Sequence, residues 1–131
     1  MIAVIFEVLP HAQHRDAYFA IAKDLRPILE TIDGFISIER FESMAEPGKV
    51  LSLSFWRDEQ AVMAWRNIGE HRMAQHEGRT KIFKDYRLRV AGVIRDYGLT
   101  PRNQAPKDSH IHHDIRPKCL RKTDSTTKNG A

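Results

Sequence analysis

Apolar and polar residues change their period several times along this chain, and each change marks an element. Ile2 to Leu9 is apolar at both alternating positions except Glu7 and stops at Pro10, which has no N–H for a β-ladder; this predicts a strand. From about Arg15 the period lengthens. Tyr18, Ile21, Ala22, Leu25, Ile28 and Leu29 recur at helical spacing, while Arg15, Asp16, Lys23, Asp24 and Glu30 fall largely outside that stripe. The helix therefore has one side to bury, and Pro27 should kink or tighten its last turn before Asp33 and Gly34 end the connection.

Phe35 to Phe41 and Val50 to Trp56 read as two antiparallel strands around a turn at Glu46-Pro47-Gly48. Asp58 then stands where an N-cap belongs, Glu59 suits the first turn, and Ala61, Val62, Trp65 and Ile68 form a second helical stripe that Gly78 is placed to stop. After a short link containing Ile82 and Phe83, Tyr86 to Arg95 begins by alternating apolar and basic residues, the pattern of a half-exposed edge strand. From Gly98 on there is no aromatic residue and three prolines interrupt the chain, so residues 98–131 are expected to form a polar appendage, flexible unless Ile111, Ile115 and Leu120 dock on the domain or its partner. Residues 1–97 are expected to form the domain.

The order β-α-β-β-α-β is that of the ferredoxin-like α+β unit, a four-stranded antiparallel sheet with both helices on one face. Its first and third strands are central. Here the first strand is apolar on both faces, and the third offers Leu51, Leu53 and Phe55 to one side with Val50 and Trp56 on the other. Two helices cover one face only. A contiguous apolar patch of several hundred Å² is rarely left in water, so a homodimer closing the open face is expected.

Charge alters this picture only at the tail. Met1 to Tyr97 carries 14 Lys and Arg against 14 Asp and Glu, so the formal +4 belongs to the last 34 residues, with 7 basic against 3 acidic. A basic tail without aromatic residues gives nucleic acid little to stack on, and nucleic acid is not the expected partner. The single cysteine, Cys119, forms no internal disulfide, and no run reaches the roughly 20 apolar residues of a membrane span. A cytoplasmic protein is expected, since the early Glu7 also argues against a leader peptide.

Gly34 to Phe41, Leu51 to Glu59, Ala64-Trp65-Arg66, Glu70-His71-Arg72 and Phe83 to Arg95 together resemble the antibiotic biosynthesis monooxygenase superfamily of dimeric α/β barrels, over about three-quarters of the chain. The resemblance implies a homodimer with pockets between helices and sheet. In some members it implies oxygenation of small aromatic or polyketide-like molecules with no cofactor, neither metal nor flavin. Other members degrade haem, using an Asn near the end of the first strand, a Trp in the second helix and a ligating His ten residues later. Trp65 matches the second of these, but Phe6 or Glu7 stands near the first position and Gln75 at the third, with His76 one step out of register.

On an unbroken helix at about 100° per residue, Arg72 and His76 share the face of Trp65, and His71 lies some 120° away. A kink near Gly69 would swing His71 inward instead. The expected site is therefore a pocket bordered by Trp65 with one of these histidines and Arg72. A histidine has the right ordinary pKa for a base, Arg72 could stabilise an anion, and Trp65 could exclude water. Glu7 and Glu39 are further substrate-binding candidates if either faces the interior. The bland alternative makes Trp65 a core residue, with the histidines and Arg72 on the helix surface. A non-catalytic ligand-binding protein of the same fold is the competing function. No phosphate-binding glycine loop or paired CxxC motif is present, and no metal site is expected, although His110, His112, His113 and Asp114 could chelate adventitiously.

Overall fold

The computed structural model describes residues 1–114. The elements are β1 (Ile2–Pro10), α1 (Arg15–Leu29), β2 (Phe35–Glu42), β3 (Val50–Trp56), α2 (Glu59–Arg66), α3 (Gly69–Glu77), β4 (Phe83–Gly92) and a single helical turn, α4 (Lys107–Ser109). The strands form one antiparallel sheet in the order β2-β3-β1-β4, the ferredoxin-like topology with β1 and β3 central.

The β2-β3 turn forms at the predicted residues. Gly48 takes a left-handed φ of 85°, Lys49 N–H donates to Glu46 O, and the Ser43 hydroxyl accepts from Ala45 and Glu46 N–H. Register fixes which residues share a face. Ile2, Val4, Phe6 and Val8 of β1 lie opposite Trp56, Ser54, Ser52 and Val50 of β3, on the side that the helices cover. There Val8, Tyr18, Val50 and Ile82 form one core cluster, and Leu29, Trp56 and Ala61 form another. The other face carries Ala3, Ile5 and Glu7 of β1 beside Phe55, Leu53 and Leu51 of β3.

One expectation needs correction. The single helix from Asp58 to Gly78 is two helices, broken at Asn67 and Ile68. The Asn67 side chain donates to Met63 O, Ile68 is extended at ψ 136°, and Gly69, a poor helix former, follows. α3 ends at Glu77 with Gly78 as its C-terminal cap residue, as expected, although at φ −58° that glycine leads on into a π-helical turn (Gly78–Ile82) that delivers Phe83 directly to β4. The first compact unit runs from Met1 to Val93, where Val93 N–H donates to Met1 O.

In the second unit the polar segment makes local structure of its own. Asp96 N–H donates to Gln104 Oε1, the Arg102 guanidinium lies 5.6 Å from the Tyr97 ring centre, and α4 leads into a π-helical turn (His110–Asp114). Ile111 is exposed; Ile115, Leu120 and Cys119 lie outside the described residues. Among the described residues no helix is long and apolar enough to cross a membrane, and no group of three or more His, Cys, Asp or Glu side chains is placed to hold a metal.

Candidate functional site

The site is built by the junction from β3 to α2 and by the break that follows. Asp58 caps α2, its carboxylate accepting Ala61 N–H at 2.9 Å, and this contact chiefly holds its pKa below the usual carboxylate value. Arg57 binds Asp33 through both terminal nitrogens at 3.0 and 3.1 Å and also reaches Asp58, tying the α1-β2 loop to the start of α2. Gly34 sits in that loop at φ 93°, where a Cβ would come within 2.7 Å of Ala61 Cβ. Ala61 is buried against Leu29 and Trp56, and one turn later Trp65 packs partly buried on the same cluster.

The break at Asn67 and Ile68 decides which histidine meets Trp65. His71 stacks on the indole with ring centres 4.1 Å apart and planes 18° from parallel, and its Nδ1 lies 3.0 Å from Trp65 O. A carbonyl only accepts, so Nδ1 carries the hydrogen and Nε2 the lone pair. The Gln75 amide lies farther from Nδ1, at 3.4 Å. Burial lowers the His71 pKa below 6.5; the Trp65 carbonyl opposes that shift, and Arg72 adds to it by Coulomb repulsion. His71 is consequently neutral at pH 7 and half-buried, with its lone pair on Nε2.

The other expected site residues do not join this pair. His76 is exposed on α3, and Arg72 is exposed and bound to Asn67 Oδ1 at 2.6 Å and Gln75 Oε1 at 3.3 Å, so it braces the helix break. The sharing of one face by Trp65, Arg72 and His76 required a continuous helix, and the break turns His71 inward in their place. Glu7 and Glu39 both lie on the sheet face away from the helices, since they pair in register with Leu51 and Leu53. Glu7 pairs there with Arg89 at 3.4 Å and Lys49 at 3.7 Å, and Glu39 is exposed. Two shallow, open grooves of about 230 and 140 Å³ also adjoin Glu7.

Two features of the helix-covered side escaped the sequence reading. Ser52 and Ser54 are buried there, Ser54 Oγ accepting Trp56 Nε1–H at 2.9 Å, and Arg40 Nε donates to the buried Tyr18 hydroxyl at 3.3 Å. The phase of β3 alone, with Trp56 inward, would have revealed the serines. Tyr86, Leu88 and Val90 of β4 face the same side through their pairing with Val8, Phe6 and Val4, yet all three are exposed.

A profile of the family described as antibiotic biosynthesis monooxygenase matches residues 1–77. A protein of Pyricularia oryzae named jasmonate monooxygenase ABM is 52% identical over 93 residues, covering 71% of this chain and 43% of its own length. The chain thus spans about two-fifths of that relative. Among solved structures, Rv0793 of Mycobacterium tuberculosis superposes with a TM-score of 0.66 at 18% identity, covering 74% of this chain and 98% of the other. A protein of Deinococcus radiodurans titled a putative antibiotic biosynthesis monooxygenase gives 0.65 at 13% identity, covering 76% and 98%. At such identities the structures attest the fold, and the profile attests the family. This chain belongs to the antibiotic biosynthesis monooxygenase family.

Proposed function

We propose that the chain is a monooxygenase that oxygenates a small, mostly apolar aromatic or polyketide-like molecule without a cofactor, His71 acting as the base against the wall of Trp65. The observation that carries this reading is the half-buried, neutral imidazole stacked on an indole, with its Nδ1 hydrogen engaged by a carbonyl. His71 Nε2 takes a proton from an acidic CH₂ of the substrate. The resulting carbanion passes one electron to dioxygen, and the two radicals join through a new C–O bond. The peroxide anion recovers the proton from His71. Loss of the second C–H proton and of hydroxide then breaks the O–O bond, leaving a carbonyl and one water. Both electrons that reduce the second oxygen atom come from the substrate carbon, so the chain need supply only a base and a dry, positioned surface.

Two copies are proposed to pair through the face bearing Leu51, Leu53 and Phe55. α1, α2 and α3 pack on the opposite face, and burying roughly 800 Å² on each copy would be ordinary for a stable dimer. The jasmonate named for the Pyricularia relative is the first natural compound to offer, alongside a hydroxyanthrone as a substrate with an acidic CH₂. Oxygen uptake by the full chain tests the reading. His71→Ala should lower kcat by about a hundredfold or more, and the acid limb of the wild-type profile should lie below pH 6.5. Full activity in His71→Ala would remove His71 from the chemistry.

A non-catalytic reading is favoured by one observation, that His71 and Trp65 line neither of the two grooves beside Glu7. It expects either compound to raise the melting temperature with no oxygen consumed.

A further inference from the structure

On a strand whose register turns them toward the helices, Tyr86, Leu88 and Val90 should be among the covered residues. They are instead 43%, 52% and 44% exposed, because α1, α2 and α3 leave β4 bare. The stripe is continuous with apolar surface at both ends. Val90 pairs with Val4, which packs on the same core cluster as Trp65. Tyr86 stands 5.8 Å from the Phe6 ring and 5.9 Å from the Phe83 ring, and Phe6 pairs with Leu88.

We propose that this stripe seats the extended apolar part of the substrate, with Leu88 and Val90 setting its length and the reacting end lying toward Trp65 and His71. The inference rests on the functional reading above and adds a substrate class: molecules with an alkyl, alkenyl or fused-ring segment up to about 13 Å long, the span from residue 86 to residue 90 at roughly 3.3 Å per residue. Area decides against a second copy as occupant. Three half-exposed side chains offer on the order of 300 Å², enough for a small ligand and well below the roughly 800 Å² per partner of a stable dimer. The basic residues of β4 do not interrupt it, since Arg87 and Arg89 pair with Glu7 and Ile5 on the opposite face.

The test uses the straight-chain carboxylates from hexanoate to dodecanoate as probes, titrated into the full chain by NMR. Each added methylene should tighten binding by about two- to fourfold until the stripe is filled, and the methyl resonances of Leu88 and Val90 should move as the chain lengthens. In the Leu88→Ser/Val90→Ser variant the gain per methylene should fall below half. Absence of chain-length dependence in the wild type, an unchanged gain in the variant, or shifts confined to Leu51 and Leu53 would each overturn the proposal. So would loss of the dimer in the variant, which would make the stripe a subunit contact. His71→Ala should keep the chain-length dependence. Retention of both that dependence and full turnover would sink the assignment of His71 while leaving the stripe in place.

Discussion

The two faces of β3 are covered in inverse order of their hydropathy. Val50, Ser52, Ser54 and Trp56 are buried beneath the helices, whereas Leu51, Leu53 and Phe55, one residue out of phase, are only partly buried. Two serines are thus better hidden than two leucines and a phenylalanine. Topology rather than residue type assigns the burial, because α1, α2 and α3 fall on one side, and Trp56 makes the serine side habitable by donating to Ser54. On the leucine side Leu51, Leu53 and Phe55 stay partly exposed, and Phe41 of β2 stands 43% exposed beside Leu51. One face is therefore a finished core, and the other is left partly exposed in the single chain.

Substitutions on the two faces should separate these roles. Trp56→Ala, at a residue only 1% exposed, should cost about 3–5 kcal/mol of unfolding free energy, seen as a lower urea midpoint. Leu53→Lys should leave the urea midpoint of the dissociated chain nearly unchanged and weaken the proposed dimer by about 2–3 kcal/mol, roughly a hundredfold in sedimentation equilibrium. Equal loss of folding stability in both variants would erase the distinction between the faces. Gly34→Ala, which puts a side chain at φ 93° and against Ala61, should cost about 1–3 kcal/mol by thermal unfolding. Removing the exposed Arg26–Glu30 pair with Arg26→Ala should change stability by less than about 0.5 kcal/mol.

Much of this arrangement was legible in the sequence. Strand alternation, the Asp58 cap and the Glu46-Pro47-Gly48 turn are local signals whose physics does not depend on the rest of the chain, and the sheet order followed from the order of elements. The Trp65–His71 contact was not legible in the same way. It depends on a break that Asn67 makes by spending its side-chain amide on Met63 O, and a helical wheel drawn through that break puts His76 in place of His71. Alternation also left open which way Glu7 and Glu39 point; pairing with Leu51 and Leu53 places both on the face away from the helices. The bare stripe on β4 had no sequence signal, because apolar residues facing a helix layer look the same whether or not the helices reach them.

The helix-covered face is also where pH should act. Burial depresses the His71 pKa, so below pH 6.5 the unfolded chain binds a proton more readily than the folded one. Stability is then fully present above pH 6.5 and is lost as pH falls through the folded value. The most direct measurement is a nitrogen-15 NMR titration of the His71 ring in the full chain. The expected result is a neutral form with hydrogen on Nδ1 and a midpoint below 6.5. A midpoint at or above 6.5, or hydrogen on Nε2 instead, would contradict a base held ready between Trp65 and its own backbone carbonyl.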